Sequence, residues 1–164
     1  MIRQIKLGLV LSLLSVFSAC DHGLEPSPAA KPGFGGRISY KGKWPPSDSV
    51  KLIGVLAFRN LPPFDIVEEY LKGNIVFDTT LSKNVDFQNY QLFTEPTTFR
   101  YVIVAQQYGA TFFESKVIGV YTDEPEAFTP KSVSVTEGFF VADVDIAVDF
   151  DHLPPQVLVK RTPR

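Results

Sequence analysis

Val50-Lys51-Leu52-Ile53-Gly54-Val55-Leu56-Ala57-Phe58 is the stretch that decides the fold. Val50, Leu52, Gly54, Leu56 and Phe58 alternate with Lys51, Ile53, Val55 and Ala57, so both phases of a two-residue repeat are largely apolar. A strand of that kind is central, or covered on both faces. Phe99-Arg100-Tyr101-Val102-Ile103-Val104-Ala105 reads the same way. Working outward, short β-rich runs bounded by Pro, Gly, Asn and Asp fall at 36–40, 50–58, 74–77, 87–93, 99–106, 116–121, 132–135 and 141–150. Short strands at near-regular spacing predict an all-β protein, an antiparallel β-sandwich of about seven to eight strands.

One window departs from the strand pattern. In Pro62-Pro63-Phe64-Asp65-Ile66-Val67-Glu68-Glu69-Tyr70-Leu71-Lys72-Gly73, the residues Ile66, Val67, Tyr70 and Leu71 share one helical face. Pro63 suits a first turn and Gly73 a C′ position, which predicts one short helix in a connection, lying across a sheet edge or end.

Composition narrows the function classes. The 164 residues are 45% hydrophobic and 21% charged, as in a single globular domain. A net charge of −2 is too small and of the wrong sign for an electrostatic nucleic-acid binder. Two His and one Cys do not furnish a zinc site of the usual type, an iron–sulfur cluster or a disulfide framework, so no metal or cofactor is expected. Gly33, Gly35 and Gly36 do not complete a dinucleotide fingerprint, because Ile38 stands where the last glycine is needed.

The N-terminus carries an address. Arg3 and Lys6 precede an apolar run from Leu7 to Phe17, too short to span a hydrocarbon core of ~30 Å, so residues 1–19 read as a cleaved signal peptide. Phe17-Ser18-Ala19-Cys20 resembles the lipobox of bacterial lipoproteins, with Phe17 departing from the usual Leu, Val or Ile. The resemblance implies that Cys20, the only cysteine, is lipidated and anchors the chain to a membrane of the bacterial cell envelope. An Asp after the cysteine, here Asp21, resembles the inner-membrane retention signal of enteric bacteria, a rule other phyla do not follow. The outer membrane is the expected address rather than the inner. From 20 to 35 the lipidated cysteine and the Pro-rich segment DHGLEPSPAAKPGFG form a tether that reaches at most ~45 Å in a polyproline II state. The β domain is placed at 36–164.

Gly36-Arg37-Ile38-Ser39-Tyr40-Lys41-Gly42, then Tyr90-Gln91-Leu92, Phe99 to Val104, Val133-Ser134-Val135 and Val144 to Val148 look like the strand pattern of the prealbumin-like, carboxypeptidase regulatory-like sandwich. The family's usual Pro-Gly turn is replaced here by Pro96-Thr97. The resemblance implies an accessory, adhesion or small-molecule-binding module, without fixing which.

The chemistry available is sparse. His22 lies in the tether and His152 past the last strand, so a Ser-His-Asp arrangement lacks its base. In the run from Val141 to Asp151, Asp143, Asp145, Asp149 and Asp151 fall on one face and Ala142, Val144, Ile146, Val148 and Phe150 on the other. That face reads as a solvated surface whose charges discourage edge pairing. Its competing reading is a small hydrolase that uses two of these aspartates. Trp44 in one loop, and Tyr108, Phe112 and Phe113 in another, are candidates for an aromatic ligand rim at one end of the domain. The expectation is therefore a lipid-anchored binding or assembly module without catalysis, engaging a protein or glycan partner and no nucleic acid.

Overall fold

A computed structural model describes residues 30–62, 65–111 and 114–157. Ten strands are formed: β1 (Gly33–Lys41), β2 (Leu52–Phe58), β3 (Ile75–Asp78), β4 (Phe87–Phe93), β5 (Thr97–Phe99), β6 (Tyr101–Gln107), β7 (Ser115–Val120), β8 (Val133–Val135), β9 (Phe140–Val141) and β10 (Ile146–Asp149). A 3-10 turn at Ser47–Ser49 and one helix, α1 (Ile66–Leu71), complete the described elements. The signal peptide, Cys20, most of the tether, Pro63, Phe112 and Phe113 lie outside the described residues.

Seven strands follow one path, in the order β3-β2-β6-β7-β10-β1-β4, with β9 added beside β1, while β5 and β8 pair separately. The all-β class with one short helix is the one the sequence predicts. The sheet is mixed, however: β1 runs parallel to β10, Ile38 opposite Ile146, and parallel to β9, Gly33 opposite Phe140. Parallel pairing needs a long connection, and here almost the whole domain lies between the two partners.

The sheet curls until β3 and β4, its two ends, have Cα atoms within 8 Å of each other without forming a ladder. Inside the curl lie Phe34, Ile38, Val55, Val104, Leu92 and Ile146, with Phe99, Val133 and Val135 of the small sheet packed against them. Outside it, Leu56, Phe58, Tyr101, Ile103 and Val117 form a second cluster, covered by Ile66 of α1 and by Val157. Strands β2, β6 and β7 therefore bury both faces, as their doubly apolar sequence requires. Gln156 fastens the C-terminal cover: its amide accepts from the Val117 N–H at 2.9 Å and donates to the Val117 carbonyl at 3.0 Å.

Local departures from the sequence reading have physical reasons. Helix α1 is shorter than its window because Asp65 caps it, accepting from the Val67 and Glu68 N–H groups, and Gly73 ends it at φ +67. Ile66 is its buried residue, while Tyr70 and Leu71 are exposed. Strand β1 begins at Gly33 rather than Gly36, and Gly33 to Gly35 pair with Phe93 to Gln91. The run read as one strand over 141–150 is two, β9 and β10, broken where Asp143 adopts φ +60, a left-handed conformation that Asp tolerates better than most residues. The run at 99–106 likewise divides at Arg100, whose N–H donates to Phe58 O while Phe99 turns into the core.

Candidate functional site

Unlike β2, β6 and β7, the outer face of β1 and β4 carries no covering helix among the described residues. The alternation explains why: Phe34 and Ile38 of β1 and Tyr90 and Leu92 of β4 point into the core, which turns Gly33, Gly35, Arg37 and Phe87, Asn89, Gln91, Phe93 outward. Register sets them in cross-strand pairs, Gly33 with Phe93, Gly35 with Gln91, Arg37 with Asn89 and Ser39 with Phe87. The segment leading from β9 to β10 forms the other side. Of these, Gly35, Arg37, Asn89, Gln91 and Phe93, with Gly36, Phe140, Asp143 and Asp145, line an open groove of about 670 Å³, with Asp78 of β3 beside the seam; Phe87 lies beyond its end.

Glycine is required at two positions along this groove. A Cβ at Gly36 would lie 2.5 Å from the Val144 carbonyl and 2.7 Å from Asp145 Oδ1, and one at Gly35 would meet the Phe140 ring at 3.0 Å. The Phe140 ring therefore rests on bare backbone. It packs against Phe93, ring centroids 5.7 Å apart, while Phe93 remains 56% exposed. At the other end of β4, the Arg37 guanidinium lies 5.0 Å from the centre of the Phe87 ring. Beneath the groove, Tyr90 donates to the Val144 carbonyl at 2.7 Å and so ties β4 to the turn after Asp143. Burial pushes the Tyr90 phenol well above its ordinary pKa.

The aspartates divide between two places. Asp143 and Asp145 line the groove, where Asp145 Oδ1 accepts the Arg37 N–H at 2.7 Å. Asp149 faces Lys41 at 3.0 Å, and that hydrogen bond, aided by the N–H of Asp151, holds its carboxyl below the ordinary carboxylate value. The expected single acidic face is thus broken by the turn at Asp143. Among the described residues no group of three His, Cys, Asp or Glu side chains is placed to hold a metal.

The rim residues are placed as follows. Strand directions bring the loops of Trp44 and Tyr108 to the same end of the sheet, where β1 and β6 both finish. Trp44 is half-buried against Tyr40 and Phe150, at 4.7 and 4.8 Å, and its indole N–H donates to Val85 O. Tyr108 is half-buried, and its N–H donates to Glu114 O. His152 packs at a tilt against Phe128, ring centroids 5.3 Å apart. Of the groove residues, the sequence points to chemistry only at Asp143 and Asp145; Gly35 and Gly36 read as a failed phosphate loop, and the alternation of Phe87, Asn89, Gln91 and Phe93 is the signal for the outward row. Compared with known proteins, the chain matches no family model, no curated protein and no solved structure.

Proposed function

We propose that the protein is a lipid-anchored, extracytoplasmic binding module of a bacterial cell envelope, held at Cys20 and engaging its partner without catalysis. The observation that supports this is the open face of β1 and β4, where rings, amides and carboxylates line one groove, while the outer faces of β2, β6 and β7 carry a second apolar cluster. A sandwich of the carboxypeptidase regulatory-like kind, which the strand sequence resembles, is a common accessory module and fits the same role. The test is a photo-reactive side chain in place of Gln91, activated in intact cells. Adducts to another envelope component at position 91, and none at Thr98 on the small sheet, are expected; equal labelling at both positions, or none at 91, sinks the reading.

One observation favours a second reading, a small carboxylate-based hydrolase: Asp143 and Asp145 share a concave surface, as a catalytic pair must. Asp145 is already engaged by the Arg37 N–H, which suits an acceptor held in place better than an acid that must exchange its proton. A hydrolytic activity that disappears in both Asp143→Asn and Asp145→Asn would establish it.

A further inference from the structure

We infer that the groove over β1 and β4 binds a neutral glycan, an assignment that rests on the reading of the chain as a binding module. Along β4 the outward residues Phe87, Asn89, Gln91 and Phe93 stand nearly 7 Å apart, giving a track of about 20 Å with a ring at each end and amides between. Sugar rings carry two kinds of surface, an apolar C–H face and a rim of hydroxyls that both donate and accept. Phe93, fixed by Phe140 yet exposed, presents a flat apolar surface for the first. The amides present a donor and an acceptor each for the second.

These amides are uncommitted, as are those of Asn74 and Asn84 away from the groove, whereas the glutamines elsewhere among the described residues are engaged. Gln88 donates to Tyr40 Oη and Ser82 O, Gln106 to Ser49 O, Gln107 to Gly109 O and Gln156 to Val117 O. The side chains of Asn89 and Gln91 make no hydrogen bond among the described residues. Charge selects against acidic ligands: Asp78, Asp143 and Asp145 line the groove, and the one cation among its described lining residues, Arg37, lies over Phe87. Carboxylates beside a hydroxyl-rich ligand are acceptors for its O–H groups.

A peptide added as a strand fits less well. The free edge of β4 faces β3, and where their Cα atoms come within 8 Å there is no space for an intervening strand, which needs two spacings of about 4.8 Å.

The experiment is affinity electrophoresis of the detergent-extracted full chain in native gels containing soluble β-glucan, xylan, mannan, galactan or, as the acidic control, polygalacturonate. At least one neutral polysaccharide should retard the wild type. Gln91→Ala and Phe93→Ala, both at exposed positions, should each weaken retardation about tenfold or more, while Tyr108→Ala retains it. Retardation by polygalacturonate alone, retardation insensitive to both groove substitutions, or none in any gel overturns the glycan assignment. Position-91 adducts to a protein, with no retardation, overturn it and leave the binding-module reading standing; loss of adducts as well removes both.

Discussion

Tyr90 shows how single residues hold the groove in shape. Its buried phenol joins β4 to the turn after Asp143, so Tyr90→Phe leaves the Val144 carbonyl without that donor and should cost about 1–3 kcal/mol in denaturant unfolding. Because its folded pKa is raised, this phenol contributes stability that is fully present below the unfolded value of 10.0 and is lost as pH rises beyond it. The gap between wild type and Tyr90→Phe should therefore narrow above about pH 10. Asp149 gives the opposite sign. Its folded pKa lies below the unfolded 3.8, so the stabilisation from Lys41 is complete above that value and fades as pH falls through the folded one. Melting temperatures of wild type and Asp149→Asn should differ by a constant amount from pH 5 to 8 and converge below about pH 4.

At the scale of elements, β10 is held by its inward residues. Ile146, 1% exposed, should cost about 2–5 kcal/mol on truncation to Ala. Asp145→Ala, at an exposed position, should cost under about 1 kcal/mol, since water replaces the carboxylate at the Arg37 N–H. Equal costs would show that the outer face is packed rather than open. Much of this level was legible in the sequence: β4 spans the same residues as its alternating run, and the doubly apolar β2 and β6 lie between two clusters. Gly33 to Gly35 read as tether because their missing side chains, which suit them to a crowded strand beside Phe140, also erase the alternation. The break at Asp143 left no mark in the apolar pattern, because Val144, Ile146 and Val148 keep their phase through it.

Over the whole molecule, the decisive feature is an asymmetry between two outer faces, one partly covered by Ile66 of α1 and by Val157 and one without such a cover among the described residues. Sequence could not supply it, since the groove gathers Gly35, Asp78, Gln91, Phe140 and Asp143 from distant parts of the chain through register and curl. Among the described residues no group of three His, Cys, Asp or Glu side chains converges for a cation that takes six or more oxygens. Millimolar Ca²⁺ should leave the melting temperature unchanged; a rise of several degrees, lost in Asp143→Asn, would mark a metal site instead. The central proposal is that this open face works at a membrane to which Cys20, in the lipobox-like Phe17-Ser18-Ala19-Cys20, ties it. The direct measurement is fractionation of cells expressing the wild type and Cys20→Ser, with a high-salt wash of the membranes. Wild type in the membrane pellet and Cys20→Ser in the soluble fraction is the predicted result; Cys20→Ser that still sediments with washed membranes would contradict it.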